Sequence, residues 1–147
     1  MSAQKIQVGD SIIVNGYLGD HGAAILLARK ELDIQAEIES DTQALNGLVD
    51  TILDVCMEVR AMRDVTRGGL ATVLNEFAMS SKVGIRLFEK KLPVREKVSA
   101  VCEILGLDPL YFANEGKLVT VVPPDKAETV LKAMKSHPAG IDSAIVG

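Results

Sequence analysis

Met62-Arg63-Asp64-Val65-Thr66-Arg67-Gly68-Gly69-Leu70 sets an acid, a hydroxyl, a base and two adjacent glycines directly before a periodic apolar run. Consecutive glycines open φ > 0 and remove both β-carbons, so a ligand or another chain segment can approach the main chain closely. The first N–H groups of a helix lack internal partners and carry partial positive charge, which suits phosphate or another anion. Two more polar, glycine-flanked patches, Gly19-Asp20-His21-Gly22 and Asn114-Glu115-Gly116-Lys117, have the same character. Three such patches predict one composite site.

The elements that must bring them together are readable from periodicity. Ser11-Ile12-Ile13-Val14 is a strand ending at Asn15-Gly16, and Gly22 opens a helical pattern through Ile25, Ala28, Arg29 and Leu32. Ser40-Asp41 supplies an N-cap for a helix carrying Leu45, Leu48, Val49, Ile52, Val55, Cys56 and Val59 on one stripe. Val59 to Met62 turns into a strand leading to Asp64, and Leu70, Val73, Leu74, Phe77 and Ala78 mark the buried face of the helix after the glycine pair. Val83, Ile85 and Leu87 alternate as a half-buried strand does. Pro93 starts a helix through Val94, Val98, Val101, Cys102 and Leu105 that Gly106 stops. Lys117 to Val122 is a β-rich run, Asp125 to His137 a last helix, and Ile141 to Val146 one more strand. Without a strict βαβ repeat, this order predicts an α+β layered domain with helices packed on a mixed sheet, all within residues 1–147.

Composition narrows the function. The 147 residues are 48% hydrophobic, enough for one core, and no linker or repeat divides them. A net charge of −4 and 3% aromatic residues leave neither the basic surface nor the stacking platforms of a nucleic-acid binder. No apolar run reaches membrane-spanning length and no signal-peptide pattern opens the chain, so no membrane association and a cytoplasmic location are expected. Cys56 and Cys102 lack CxxC spacing and fall on apolar stripes, as reduced core residues do. Two histidines and two core cysteines cannot form a usual zinc site at these spacings, so no metal-ligand cluster is expected. His137, at a helix end, complements the dipole and takes no functional role.

The ordered blocks Gly9-Asp10-Ser11-Ile12-Ile13-Val14-Asn15-Gly16, Gly19-Asp20-His21-Gly22, Met62 to Leu70, Leu74-Asn75-Glu76, Cys102-Glu103, Asp108-Pro109-Leu110 and Ala113-Asn114-Glu115-Gly116-Lys117 resemble the HypE family of hydrogenase maturation proteins, within the PurM-like (AIR synthase-related) superfamily. The resemblance covers nearly the whole chain. It implies the family's C-terminal α+β domain, with the N-terminal ATP-binding domain and the Pro-Arg-Ile-Cys tail lying outside these residues. Val65 stands where the family usually has proline, which loses a preset φ between Asp64 and Thr66. Thr-Arg-Gly-Gly-Leu replaces the Ser-Asp-Gly-Leu of related enzymes such as thiamine-monophosphate kinase.

The resemblance implies an ATP-dependent carbamoyl dehydratase that converts an S-carboxamide on the tail cysteine to a thiocyanate, the source of cyanide ligands for [NiFe]-hydrogenase. The isolated domain is then expected to fold without being active. Magnesium would arrive with ATP, mostly through the N-terminal domain. Partners would be that domain, the carbamoyltransferase HypF and the HypC/HypD complex, with the full-length protein a homodimer.

Such chemistry needs phosphate stabilisation and a base for the amide protons. Arg67 with the Gly68 and Gly69 amides is placed to steady phosphate or orient the tail, unless the glycines only permit close packing and Arg67 is a surface charge. Glu115 is the candidate proton acceptor, with an ion pair to Lys117 as its alternative. Asp64 would orient Arg67 or a metal-bound phosphate, or cap the helix. Gly19, Asp20, His21, Gly22, Thr66, Asn114 and Lys117 complete the candidate substrate and nucleotide contacts, although Asn114 and Lys117 are equally ordinary at a turn. Two other classes fit the residues less fully: a docking module without chemistry, and a different PurM-like enzyme such as a kinase or cyclo-ligase.

Overall fold

The computed structural model describes residues 1–29 and 37–147. β1 (Ser11–Val14), β2 (Ala61–Asp64), β3 (Leu118–Val122) and β4 (Ala144–Ile145) form one sheet in the order β2-β3-β1-β4. Every pairing is antiparallel, with Ser11 opposite Val122, Ala61 opposite Val121 and Ile13 opposite Ile145. The expected α+β layering is therefore present, but the sheet is antiparallel where a mixed one was expected. β1 and β2 run in one sense and β3 and β4 in the other, and the order β2-β3-β1-β4 places each strand beside neighbours of opposite sense only, so no parallel pair forms.

All five residues of β3 are buried, because β3 is central and covered on both faces. Alternation along the strand sends Val119 and Val121 one way, into a cluster with Ile12, Val14 and Ala61. There they meet Leu70, Val73, Leu74 and Phe77 of α3 (Gly69–Ser81), the four-residue spacing of one helix face. Leu118 and Val122 point the other way, onto Leu48 and Ile52 of α2 (Asn46–Val55) and Ala127, Val130 and Met134 of α5 (Ala127–Ser136). A smaller cluster joins Ala23 of α1 (Asp20–Ala28) to Val98 and Cys102 of α4 (Glu96–Leu105) and to Phe112. Both cysteines are free thiols in these cores, and burial pushes the Cys102 thiol up.

Several local expectations change. Leu32 lies outside the described residues. α2 starts at Asn46 behind Leu45 with no side-chain cap, so Ser40 and Asp41 are not its N-cap. The stripe also stops early, leaving Val55 exposed at the helix end and Val59 buried beyond it. α4 begins at Glu96, not Pro93, and ends as expected at Gly106, whose φ of +65° lets the Leu107 N–H reach the Cys102 carbonyl at 2.9 Å. Residues 83–88 alternate in burial yet form no ladder; the Phe88 N–H to Val146 carbonyl bond of 2.7 Å is their tie to the sheet.

Candidate functional site

Asn114 is the residue that joins the three patches. Buried at 1% exposure, its Oδ1 accepts the Gly19 N–H at 2.8 Å while its Nδ2 donates to the carbonyls of Val65 (2.9 Å) and Phe112 (3.1 Å). Its own N–H returns to the Val65 carbonyl at 3.1 Å, and the Val65 N–H reaches the Lys117 carbonyl at 2.9 Å. The Gly22 N–H donates to the Ala113 carbonyl at 3.0 Å. An amide can serve as donor and acceptor at once, which is why a single Asn side chain can lace three loops. The three patches thus meet at one physical junction, with the Asn114 side chain committed to the protein itself.

The glycines serve that junction. Gly68 (φ +81°) caps α3 and Gly69 (φ +65°) opens it. A β-carbon on Gly69 would lie 2.2 Å from the Leu110 carbonyl oxygen and 2.7 Å from that of Phe112, so α3 can pack against the turn at Pro109–Tyr111 because this residue has none. The Gly69 N–H is already donated to the Thr66 carbonyl at 3.0 Å. Of the two amides expected to face an anion, this one is closed into a turn. Arg67 is exposed and makes no ion pair or hydrogen bond among the described residues. Asp64 accepts the Thr66 hydroxyl at 3.1 Å and does not cap α3, which has no side-chain cap.

Glu115 stands exposed at the tip of its loop. Its Oε1 is 3.9 Å from Nε2 of His21, whose Nδ1 is 2.8 Å from the Ser40 hydroxyl. The alternative partner, Lys117, goes elsewhere: its buried Nζ sits 3.0 Å from Asp41 Oδ2, at an angle outside hydrogen-bond geometry, and 3.4 Å from the Gly116 carbonyl. Asp41 Oδ1 accepts the Glu115 N–H at 2.9 Å. Asn15 Nδ2 donates to the carbonyls of Gly116 (3.2 Å) and Ala139 (2.8 Å), and its Oδ1 accepts the Leu118 N–H at 2.8 Å.

Beside this loop lies a cleft of about 620 Å³ whose wall includes Tyr17, Asp20, Asp41, Arg95, Lys97 and Lys117. Asp20 Oδ2 accepts from Arg95 Nε at 3.1 Å, and the Arg95 guanidinium lies 4.0 Å from the centroid of the Tyr17 ring. Asp20 Oδ1 is buried and makes no hydrogen bond among the described residues. Burial raises the Asp20 carboxyl above the ordinary aspartate range, against the opposing pull of Arg95. Glu115, Arg67 and Asp64 do not line this cleft. Sequence reasoning missed Asn15, read as a strand end; Asp41, read as a helix cap; and Arg95, which no local pattern distinguishes.

A three-layer antiparallel α+β domain with glycine-rich loops gathered at one strand end is the architecture of a known class. Residues 7–147 match the family described as AIR synthase related protein, C-terminal domain, and the chain belongs to it. Within that class it is similar to the carbamoyl dehydratase HypE of Azotobacter vinelandii, 51% identical over all of this chain and 43% of that protein. Among solved structures it matches one titled a HypE-HypF complex, with TM-score 0.95 and 45% identity over 99% of this chain and 48% of that one. It also matches a HypE described as in complex with ATP, with TM-score 0.91 and 42% identity over 99% of this chain and 43% of that one. The chain spans less than half the length of the curated relatives it matches.

Proposed function

We propose that this chain is the C-terminal domain of a HypE-type carbamoyl dehydratase, with the nucleotide-binding domain and the cysteine tail supplied by the rest of a longer polypeptide. The observation that carries the reading is the junction of Gly19–Gly22, Val65–Gly69 and Asn114–Lys117 through Asn114, in a chain 51% identical to a named dehydratase across its full length. In the reaction, the oxygen of the cysteine-bound S-carboxamide takes the γ-phosphoryl group of ATP, the two protons leave the amide nitrogen, and the C–O bond breaks with phosphate departure. A thiocyanate, ADP and phosphate result, one water having been removed in total.

Glu115 is assigned the proton acceptor's part, supported by its exposed carboxylate on a loop whose backbone is tied down on both sides. His21, 3.9 Å away, faces that carboxylate with its other nitrogen turned to Ser40. Arg67, exposed and in no ion pair among the described residues, with Asp64 and Thr66 beside it, is assigned to phosphate or the tail. ATP enters with magnesium, both held mainly by the other domain. HypF is a partner, in line with the complex of the related protein, and the HypC/HypD complex, a homodimeric full-length form and a cytoplasmic location belong to the same proposal. Among the described residues no helix is long and apolar enough to cross a membrane.

Glu115→Gln in the full-length protein tests the assignment. It keeps the side-chain shape and removes the base, so dehydration of the carbamoylated tail falls by about a hundredfold or more while ATP still binds. An unchanged dehydration rate would refute Glu115 as the base.

A further inference from the structure

We propose that Asp41 is the positioning residue for Glu115, an inference that rests on Glu115 being the base. Asp41 lies 74 positions before Glu115 and belongs to no helix or strand. Its side chain is 3% exposed, and its two oxygens grip both ends of the Glu115–Lys117 turn: Oδ1 accepts the Glu115 N–H at 2.9 Å, and Oδ2 stands 3.0 Å from Lys117 Nζ. Among the described residues the Glu115 N–H has no other acceptor. The bonds from Asn15 and Gln43 fix the Gly116 carbonyl, and the Val65 N–H fixes that of Lys117. The peptide plane entering Glu115, which sets the direction of its Cα–Cβ bond, is therefore held by Asp41.

The backbone around Asp41 is seated for this contact. A β-carbon on Gly116 would lie 2.0 Å from the Asp41 carbonyl oxygen, so the two main chains touch where Gly116 has no side chain. Ser40 and Thr42 on either side share a 2.7 Å hydroxyl contact, and Ser40 also meets His21, the other neighbour of the Glu115 carboxylate. One short segment thus reaches Glu115 through its backbone and through the imidazole that faces it. A reacting group misplaced by about 1 Å can lose about a hundredfold in rate, so such a clamp has a catalytic consequence beyond folding.

The test uses the full-length protein, carbamoylated on its tail, with ATP. Asp41→Ala removes the acceptor and the ion pair; Asp41→Asn removes the ion pair but keeps an oxygen for the Glu115 N–H. A positioning role predicts that Asp41→Ala lowers the dehydration kcat about tenfold or more, leaves the KM for ATP within about twofold, and speeds hydrogen exchange at the Glu115 amide. Asp41→Asn then recovers most of the rate and the exchange protection. Equal losses in the two variants, or a rise in KM that matches the fall in kcat, would overturn it, since a purely structural ion pair is lost in both. Glu115→Gln run alongside separates the two failures. A slow Glu115→Gln with Asp41→Ala at the parental rate removes the clamp alone; Glu115→Gln at the parental rate removes the base reading and the catalytic consequence of the clamp with it.

Discussion

Buried polar side chains at the loop junction divide into satisfied and unsatisfied groups. Asn114 and Asn15 spend both ends of their amides on backbone groups of distant segments, which is the condition under which a buried polar side chain costs little and specifies much. Asp20 differs: burial outweighs Arg95, and its folded-state carboxyl lies above the value of about 3.8 it has when exposed. Its proton is therefore held more tightly in the folded protein than in the unfolded chain. Its contribution to stability is fully present below the unfolded value and is lost as pH rises through the raised folded value. Asp20→Asn removes that term, so the stability of the variant relative to the parent climbs as pH increases across that window. Urea midpoints of both proteins at pH values from about 3 to 7 check this; parallel curves would contradict it. The role of Asp20 was hidden in the sequence because Arg95, its partner, lies 75 positions away.

Elements were legible where their own residues decide them. Leu70, Val73, Leu74 and Phe77 fix α3, and the Gly106 stop of α4 follows from the one residue type that adopts φ of +65° without penalty. Tertiary contacts decided the rest. Ser40 and Asp41 have the chemistry of a helix cap, yet Asp41 is drawn to Lys117 and the Glu115 amide instead, and α2 starts without a side-chain cap. Val83 to Leu87 has a strand's alternation, but a strand also needs a ladder partner, and the neighbouring β4 is two residues long. Gly69 tests the packing of α3 directly. Gly69→Ala puts a methyl group against two carbonyl oxygens at a left-handed φ, and it is expected to cost about 3 kcal/mol or more of unfolding free energy. Gly84→Ala, where a β-carbon meets nothing within 4 Å, stays within about 0.5 kcal/mol. Urea titration of the pair checks the contrast, and equal losses would show that the α3 junction has room to yield.

Across the whole molecule, the sheet carries α3 on one face and α2 with α5 on the other, and its loops converge where Asn114 ties Gly19 to Val65. The convergence was readable from three patches of similar composition, because glycine and polar residues concentrate where backbones meet. The assignment of tasks within it was not, since that depends on which side chains neutralise one another. Lys117 is spent on Asp41, Asp20 on Arg95, and Arg67 and Glu115 are left exposed. The proposed dehydratase divides its work accordingly, with this domain offering the exposed pair and the other domain holding most of the nucleotide.

The intact mass of the native full-length polypeptide, followed after a carbamoyl donor and then ATP are supplied, tests that account most directly. The account predicts a chain more than twice this length that gains one carbamoyl group and, on addition of ATP, loses one water. A chain that takes up no carbamoyl group, or that keeps the adduct unchanged with ATP present, would contradict it and leave a docking role as the better description of the domain.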